Sequence, residues 1–255
     1  YDSPQGKRDE LYWQRRSIVE RGVYTDWKSI PLRNSWSFDH SISVTGRGSG
    51  MEYNVNLRYG DTRGVMKGDF RQRYGIGVNL AYNYKDFLNI SYRLDIKTDT
   101  KDSPYGSFSD WVVRNPYEMP KDEYGEWVKS YNDNMDRNPL YEASLESFSK
   151  SKAKTITNSI NLRLDILKGL YLNGNFYYAL GDDQRDRFIS SESSQFLGKD
   201  ADQKGSYTVS GGETNNWSGN ATLSYNWSFD DLGSLLSINL GGTISKNRSS
   251  DFEFS

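Results

Sequence analysis

SWSFDHSISVT (residues 35–45), MEYNVNLRY (51–59), RYGIGVNLAYN (73–83) and LNISYRLDIK (88–97) follow one another with the same two-residue rhythm. In the first run Trp36, Phe38, His40, Ile42 and Val44 alternate with Ser37, Asp39, Ser41, Ser43 and Thr45. In the second, Met51, Tyr53, Val55, Leu57 and Tyr59 alternate with Glu52, Asn54, Asn56 and Arg58. Tyr74 to Tyr82 and Leu88 to Ile96 repeat the pattern, with Arg73, Asn79, Asn89, Arg93, Asp95 and Lys97 on the polar side. Successive side chains of a strand point to opposite faces, so this period predicts four strands with one apolar and one polar face. Each run is about ten residues, long for a soluble strand and suited to a tilted strand crossing a bilayer.

Alternation stops over residues 99–154 and then resumes. Ile156, Ile160, Leu162, Leu164 and Ile166 form one apolar face; Leu170, Leu172, Phe176, Tyr178 and Leu180 form the next. Trp217, Ala221, Leu223, Tyr225, Trp227 and Phe229 follow, then Leu236, Ile238, Leu240 and Ile244. The expected fold is therefore all-β: an antiparallel transmembrane β-barrel segment of about eight strands, residues 35–246. Short connections fall at 46–50, 84–86, 167–169 and 230–233, and long loops at about 60–72, 99–154 and 181–214. Short turns on one side and long loops on the other mark an outer-membrane barrel with the long loops outside. Aromatics gather at strand ends: Trp36, Tyr59, Tyr74, Tyr178 and Trp217 at one rim, Tyr82, Trp227 and Phe229 at the other, as in two interfacial girdles. Residues 1–34 are expected to be an irregular extracellular lead-in with a short helix from Asp9 to Arg21, ended by Gly22, and a turn capped by Asp26. Residues 247–255 are expected to begin a further extracellular loop.

Composition agrees. Of 255 residues only 35% are hydrophobic, yet 15% are aromatic and the net charge is −2. The mean hydropathy of −0.83 suits strands of which half faces water. No run is long and apolar enough for a membrane-spanning helix. The near-neutral charge gives no electrostatic footprint for nucleic acid. With no cysteine and one histidine, His40, disulfides, thiolate zinc sites and cysteine nucleophiles are excluded, and no cofactor is expected. The chain opens at Tyr1 without a leader and is read as a mature form or a fragment.

The polar face carries Arg58, Arg73, Arg93, Asp95, Lys97, Arg163 and Asp165. Charges there need water or partners, so Arg58, Arg93, Asp95, Arg163 and Asp165 are expected to line a wide lumen. Eight strands beginning and ending in loops leave two unpaired edges, which a bilayer does not tolerate. Either they close as a small barrel or they are a slice of a larger one. The charged face favours the slice.

Thr25-Asp26-Trp27, Leu32-Arg33 and the run from Asp39 to Gly46 resemble the start of the barrel in SusC/RagA-type TonB-dependent outer-membrane transporters of Bacteroidetes. So do Gly64-Val65-Met66-Lys67-Gly68 with Arg73-Tyr74, Asn115-Pro116-Tyr117 with Asp122-Glu123-Tyr124-Gly125, and the run from Asn138 to Leu145. Lys204-Gly205-Ser206-Tyr207 with Gly211-Gly212-Glu213 completes the likeness. Lys28 and Pro31 depart from it. The resemblance implies a 22-stranded barrel in the bacterial cell outer membrane, bathed by lipid. It implies a plug and a TonB-contacting segment outside this chain, and a SusD-like surface lipoprotein as lid. It also implies import of glycans or peptides, with no enzymatic step.

Functional expectation then falls on the aromatic loop. Trp and Tyr rings stack on sugars and supply rigid contact area, which selects Trp111, Tyr117, Trp127 and Tyr131 for substrate or lid contact. The competing reading is that these rings pack the loop onto itself. Gly46-Arg47-Gly48-Ser49-Gly50 is a hairpin turn, since no helix follows it. Asp133, Asn134 and Asp136 lack the ligand spacing of a calcium loop. Three rivals stay open: a soluble β-sandwich carbohydrate-binding module, a small non-TonB outer-membrane barrel, and a hydrolase using paired carboxylates.

Overall fold

A computed structural model describes residues 4–104, 106–131, 136–229 and 234–255. In chain order it contains α1 (Pro4–Glu20), β1 (Trp36–Gly48), β2 (Met51–Arg63), β3 (Phe70–Tyr84), β4 (Leu88–Ser103), α2 (Phe108–Val112), β5 (Ser130–Tyr131), β6 (Asp136–Arg137), α3 (Pro139–Ser144), β7 (Phe148–Leu167), β8 (Leu170–Ile189), β9 (Ser206–Phe229) and β10 (Ser234–Phe254). The eight long strands form one antiparallel sheet in the order β1-β2-β3-β4-β7-β8-β9-β10, and β5 with β6 makes a small separate ladder.

Register keeps the two faces apart. Ile42 lies opposite Leu57, Leu57 opposite Ile76, Ile76 opposite Ile96, and Ile96 opposite Ile156. Further along, Leu88, Leu164, Leu172, Leu223 and Leu240 form another apolar row. A slip of one residue would turn a whole strand inside out. The outer aromatic rim crosses β2 and β3 at Tyr59 and Tyr74, whose row meets β4 at Thr98. It crosses β8 and β9 at Tyr178 and Trp217, whose row meets β4 at Leu94 through Asn158. The rim thus slips four residues over four inter-strand gaps. At about 3.3 Å per residue and about 4.8 Å per gap, that is a strand tilt of roughly 35°, within the range of membrane barrels.

No second layer covers the apolar face. Ile42 is 67% exposed, Leu240 73% and Ile244 65%, while among the described residues the buried hydrophobic side chains are Trp27, Trp111, Tyr141, Ile189 and Phe196. A sandwich would bury its inner rows against another sheet; here the contiguous apolar band suits lipid. The β-sandwich reading is therefore overturned. Among the described residues β1 and β10 do not pair, so the sheet is open and the eight-stranded closed barrel is overturned too. The fold is a transmembrane barrel segment.

The strands outrun the sequence-based bounds. The gap expected at 60–72 shrinks to 64–69, that at 99–154 to 104–147, and that at 181–214 to 190–205. Residues 247–254 are strand rather than the start of a loop. The reason is solvation. Past the aromatic rim both faces of a strand meet water, so Lys150, Lys152, Lys154, Asp182, Gln184 and Asp186 stand where apolar residues would have signalled a strand. The lead-in differs as well: the helix begins at Pro4, and Gly22 beyond its end takes φ +74°.

Short turns are tight where they are described. Ser49 and Gly50 both have positive φ (49° and 81°), the two-residue turn whose twist matches a hairpin. The Gly50 carbonyl accepts from Asn83 N at 2.8 Å, and that of Gly169 accepts from Asn226 N at 2.8 Å, so both turns are clasped by the next strand. The expected turn at 230–233 lies outside the described residues. Rings meet at both rims: Trp36 stacks on Phe38 at 5.2 Å and Tyr59 meets Tyr74 at 5.0 Å, while Tyr82 and Tyr84 stack at 6.3 Å at the short-turn end.

Ile76→Arg places a cation in the apolar band and is expected to cost the folded barrel about 2–4 kcal/mol. Asn56→Arg, on the polar face of the adjacent strand, is expected to cost much less. Urea unfolding of the intact membrane protein in lipid vesicles measures both. Equal losses would contradict the assignment of faces.

Candidate functional site

The polar face is an ordered lattice of amides, hydroxyls and paired charges. Arg93 Nε lies 3.1 Å from Asp95. Arg163 grips Asp165 with two bonds of 3.1 and 3.0 Å, and Arg73 reaches Asp39 at 2.9 Å. Arg58 donates to Asn56 at 2.5 Å. Asn54 donates to Ser43 and Thr45, and Asn175 donates to Asn161. Residues two apart on a strand share a face, which is why Arg93 finds Asp95 and Arg163 finds Asp165. The five charges expected to line the lumen thus all lie on the polar face. Such exposed pairs contribute at most about 1 kcal/mol each; they keep the wall wet and neutral rather than hold the fold.

The loop between β4 and β7 folds into a compact unit at the long-loop end. Its centre is Trp27 from the lead-in, 2% exposed, with Trp111 at 6.3 Å and Tyr131 at 6.3 Å edge-on. Trp27 Nε1 donates to the Asn115 carbonyl at 3.0 Å. Asn138 is wholly buried and makes four side-chain bonds: it donates to the carbonyls of Pro120 (2.9 Å) and Val128 (2.6 Å), and accepts from Leu140 N (3.0 Å) and Tyr141 N (3.3 Å). It therefore caps α3 and holds two loop segments together. Glu142 accepts from Ser193 Oγ at 2.7 Å and Ser194 N at 2.8 Å, and Tyr141 donates to the Glu192 carbonyl at 2.8 Å. These contacts lock the loop to the one between β8 and β9. At the far tip, Asp122 Oδ1 accepts from Tyr124 N and Glu126 N, each at 2.9 Å, and Lys121 pairs with Trp127. The segment is thus a hairpin and not a helix.

Three of the four aromatic picks share this unit, and most of their ring surface goes into packing. Trp111 is 4% exposed, its ring set against Trp27, and it borders the cavity described below. Tyr131 donates to the Met119 carbonyl at 2.9 Å. Trp127 packs on Tyr141 at 6.0 Å with Lys121 over its face at 4.6 Å. Tyr117 stands apart, with Arg15 over its ring at 5.6 Å. Among the described residues the most exposed loop ring is Tyr124, at 91%. His40 sits in the aromatic rim 5.0 Å from Phe38. Of the oxygen-rich stretch, Asp133 and Asn134 lie outside the described residues, and Asp136 pairs with Arg114 at 3.0 Å.

A cavity of about 770 Å³ separates this loop from the polar face of β4, β7 and β8. Lys101, Ser149, Ser151, Arg185 and Arg187 line it from the wall, and Asp110, Trp111, Arg114, Arg137 and Glu142 from the loop. Sequence reading passed over these cations because residues 181–214 were taken as a loop. The spacing of Arg185 and Arg187, two apart as on one strand face, was the available signal.

Asn138→Ala removes a cap and leaves the Val128 carbonyl unpaired, while that of Pro120 keeps its bond from Val128 N; the expected cost to the loop unit is about 2–3 kcal/mol. Asn138→Asp keeps the cap acceptor and loses both donors, so it should fall between. Hydrogen exchange over residues 115–141 reads the difference. Burial, and secondarily Glu118, pushes the Tyr131 phenol above its ordinary value, against a smaller opposing pull from Arg114. The folded loop then keeps a proton that the unfolded chain loses, so its stability is full below about pH 10 and declines above it. Tyr131→Phe should flatten that decline; an unchanged slope in exchange rates would remove Tyr131 as its source.

No family model matches the chain. It is 35% identical over 89 residues, a third of its own length, to the TonB-dependent receptor SusC of Bacteroides thetaiotaomicron, of which those residues span 9%. Its fold superposes on a chain of the RagAB peptide importer in the closed-closed state with TM-score 0.64 and in the open-open state with 0.63. Each match has 14% identity and covers 90% of this chain but 30% of the other. The chain thus spans well under half of the proteins it matches. The chain is thus similar in sequence to SusC over those 89 residues and shares its fold with part of the RagAB chain.

Proposed function

We propose that this chain supplies wall and mouth to an energy-coupled importer of large nutrients, glycans or peptides, in the bacterial outer membrane. The observation that carries this reading is the two-faced open sheet. Its apolar band needs lipid and its polar face, with paired charges and amide rows, is suited to a water-filled lumen. Two unpaired edges, β1 and β10, require further strands to close the barrel. The long-loop end is extracellular in this reading, and the packed loop around Trp27 and Asn138 is a firm rim for a SusD-like lipoprotein lid. Its exposed Tyr124, with Tyr117 beside Arg15, is presented to that lid or to cargo. Arg58, Arg93, Asp95, Arg163 and Asp165 line the passage. Energy comes from a TonB complex acting on a plug outside this chain. The matched proteins are named as a receptor and an importer, in keeping with passage and capture rather than bond breaking.

Deleting residues 108–144 from the intact transporter should abolish uptake of fluorescent oligosaccharides or oligopeptides while the barrel still folds, as read from its heat-modifiable gel band. A protonophore should abolish uptake by the unaltered protein. Uptake that survives the protonophore would rule out energy-coupled import.

A further inference from the structure

The cavity between the folded loop and the wall is cationic. Lys101 on β4 and Arg185 on β8 share a row with Ser151 between them, and Arg187 lies opposite Ser149 in the row that also holds Ser103. Small hydroxyl residues therefore separate the cations across about 10 Å of wall, two inter-strand spacings. Arg114 and Arg137 face them from the loop. The three carboxylates in the lining are already occupied. Glu142 is buried against Ser193 and Ser194, Asp110 accepts from Ser107 N at 2.7 Å, and Asp136 holds Arg114. Among the described residues, Lys101, Arg137, Arg185 and Arg187 form no ion pair. Asp183, Asp251 and Glu253 border an adjoining hollow with Arg185, and none is paired with it.

A second feature points the same way. The Arg114 side chain is only 5% exposed, and its Nη1 lies 3.6 Å from Glu118, beyond hydrogen-bond reach. Its Nε and Nη1 are buried without a hydrogen-bond partner. A buried guanidinium with two donors unmet is costly, and Arg114 borders the cavity. Guanidinium forks match the planar, two-oxygen carboxylate. We propose that this cavity is an anion-binding subsite that takes a carboxylate group of the cargo at the mouth of the lumen. The proposal rests on the importer reading and names the chemistry of its cargo: a uronate of an acidic glycan, or an acidic side chain or terminus of a peptide. Arg93 and Arg163, lower on the wall, are paired along their own strands; the mouth cations are held open for something that arrives.

The test uses the intact transporter with its partner lipoprotein, purified in detergent, and four fluorescent probes: tetragalacturonate, galactotetraose, a tetraglutamate peptide and a tetraglutamine peptide. Fluorescence polarisation should show one acidic probe bound more tightly than its neutral counterpart, and which one identifies the source of the carboxylate. Arg185→Gln with Arg187→Gln should weaken that probe at least tenfold and leave the neutral probes within twofold. Raising the salt should weaken the unaltered protein likewise. Acidic-probe binding within twofold of the unaltered protein would overturn the subsite, as would equal losses for neutral probes or no preference for either acidic probe. Energy-dependent uptake measured alongside separates the two readings: retained uptake with a failed subsite leaves the importer standing, and absent uptake by the unaltered protein removes both.

Discussion

Backbone hydrogen bonding in a medium without water is the constraint on which this structure depends. Within the hydrocarbon layer every N–H and C=O needs a protein partner. The six inner strands meet it from both sides through antiparallel ladders, with one register shift between Asp165 and Leu167 at the short-turn end of β7. Only β1 and β10 carry a free edge. Once the ladder is fixed, strand alternation dictates that one face is uniformly apolar and the other uniformly polar. Hydrophobic burial inside the chain then contributes little to the sheet, because the apolar rows are offered to lipid and not to one another. That is why an open sheet with so many exposed Ile and Leu residues is not a misfolded sandwich.

A second solvent begins at the aromatic rim. Above Tyr59, Tyr74, Tyr178 and Trp217 the strands continue with polar residues on both faces, and the chain must build ordinary protein interior to keep its loops in place. It does so once, around Trp27, Trp111, Tyr131 and Tyr141. Asn138 and Glu142 supply the buried polar joints that a loop without regular structure requires, since its carbonyls and amides have no ladder to join. The lead-in, the β4–β7 loop and the β8–β9 loop meet there, held by Trp27 to Asn115, Tyr141 to Glu192 and Glu142 to Ser194.

The membrane-facing part of this fold was legible because one residue in two reports on lipid. The alternating runs located all eight strands, their faces and their order, and the family resemblance agreed with them. Legibility ended where lipid ended. The upper halves of β7, β8 and β9 read as loops because Lys152, Lys154, Asp183 and Arg185 carry no contrast between faces. The aromatic loop admits two readings, contact and packing. Trp111 and Tyr131 have the chemistry of sugar contacts, yet a loop of that length needs a core of its own, and its aromatics are the largest apolar groups it has. Asn138 gave a helix-cap signal ahead of Pro139, but its two bonds to Pro120 and Val128 depend on chain reversals that no local pattern records.

The same distinction separates wall from mouth in electrostatic terms. A cation on a strand can be neutralised by a carboxylate two residues away, and the wall does this repeatedly, with Arg93 and Asp95 and with Arg163 and Asp165. Arg185 and Arg187 are also two apart, so each takes one of the two places where the other's partner would sit; Asp183 takes the other place beside Arg185 without forming an ion pair with it. Between them and Lys101 stand serines, which neither neutralise nor fill. Opposite lies Arg114, whose two acidic neighbours satisfy only part of its fork. A wall built merely to stay hydrated has no reason to concentrate like charge where the loop narrows the space. Repulsion there is a standing cost, and it is relieved by a bound anion. The cavity thus differs from the face beneath it: Arg93 and Arg163 there have carboxylate partners on their own strands, whereas among the described residues Lys101, Arg137, Arg185 and Arg187 form no ion pair.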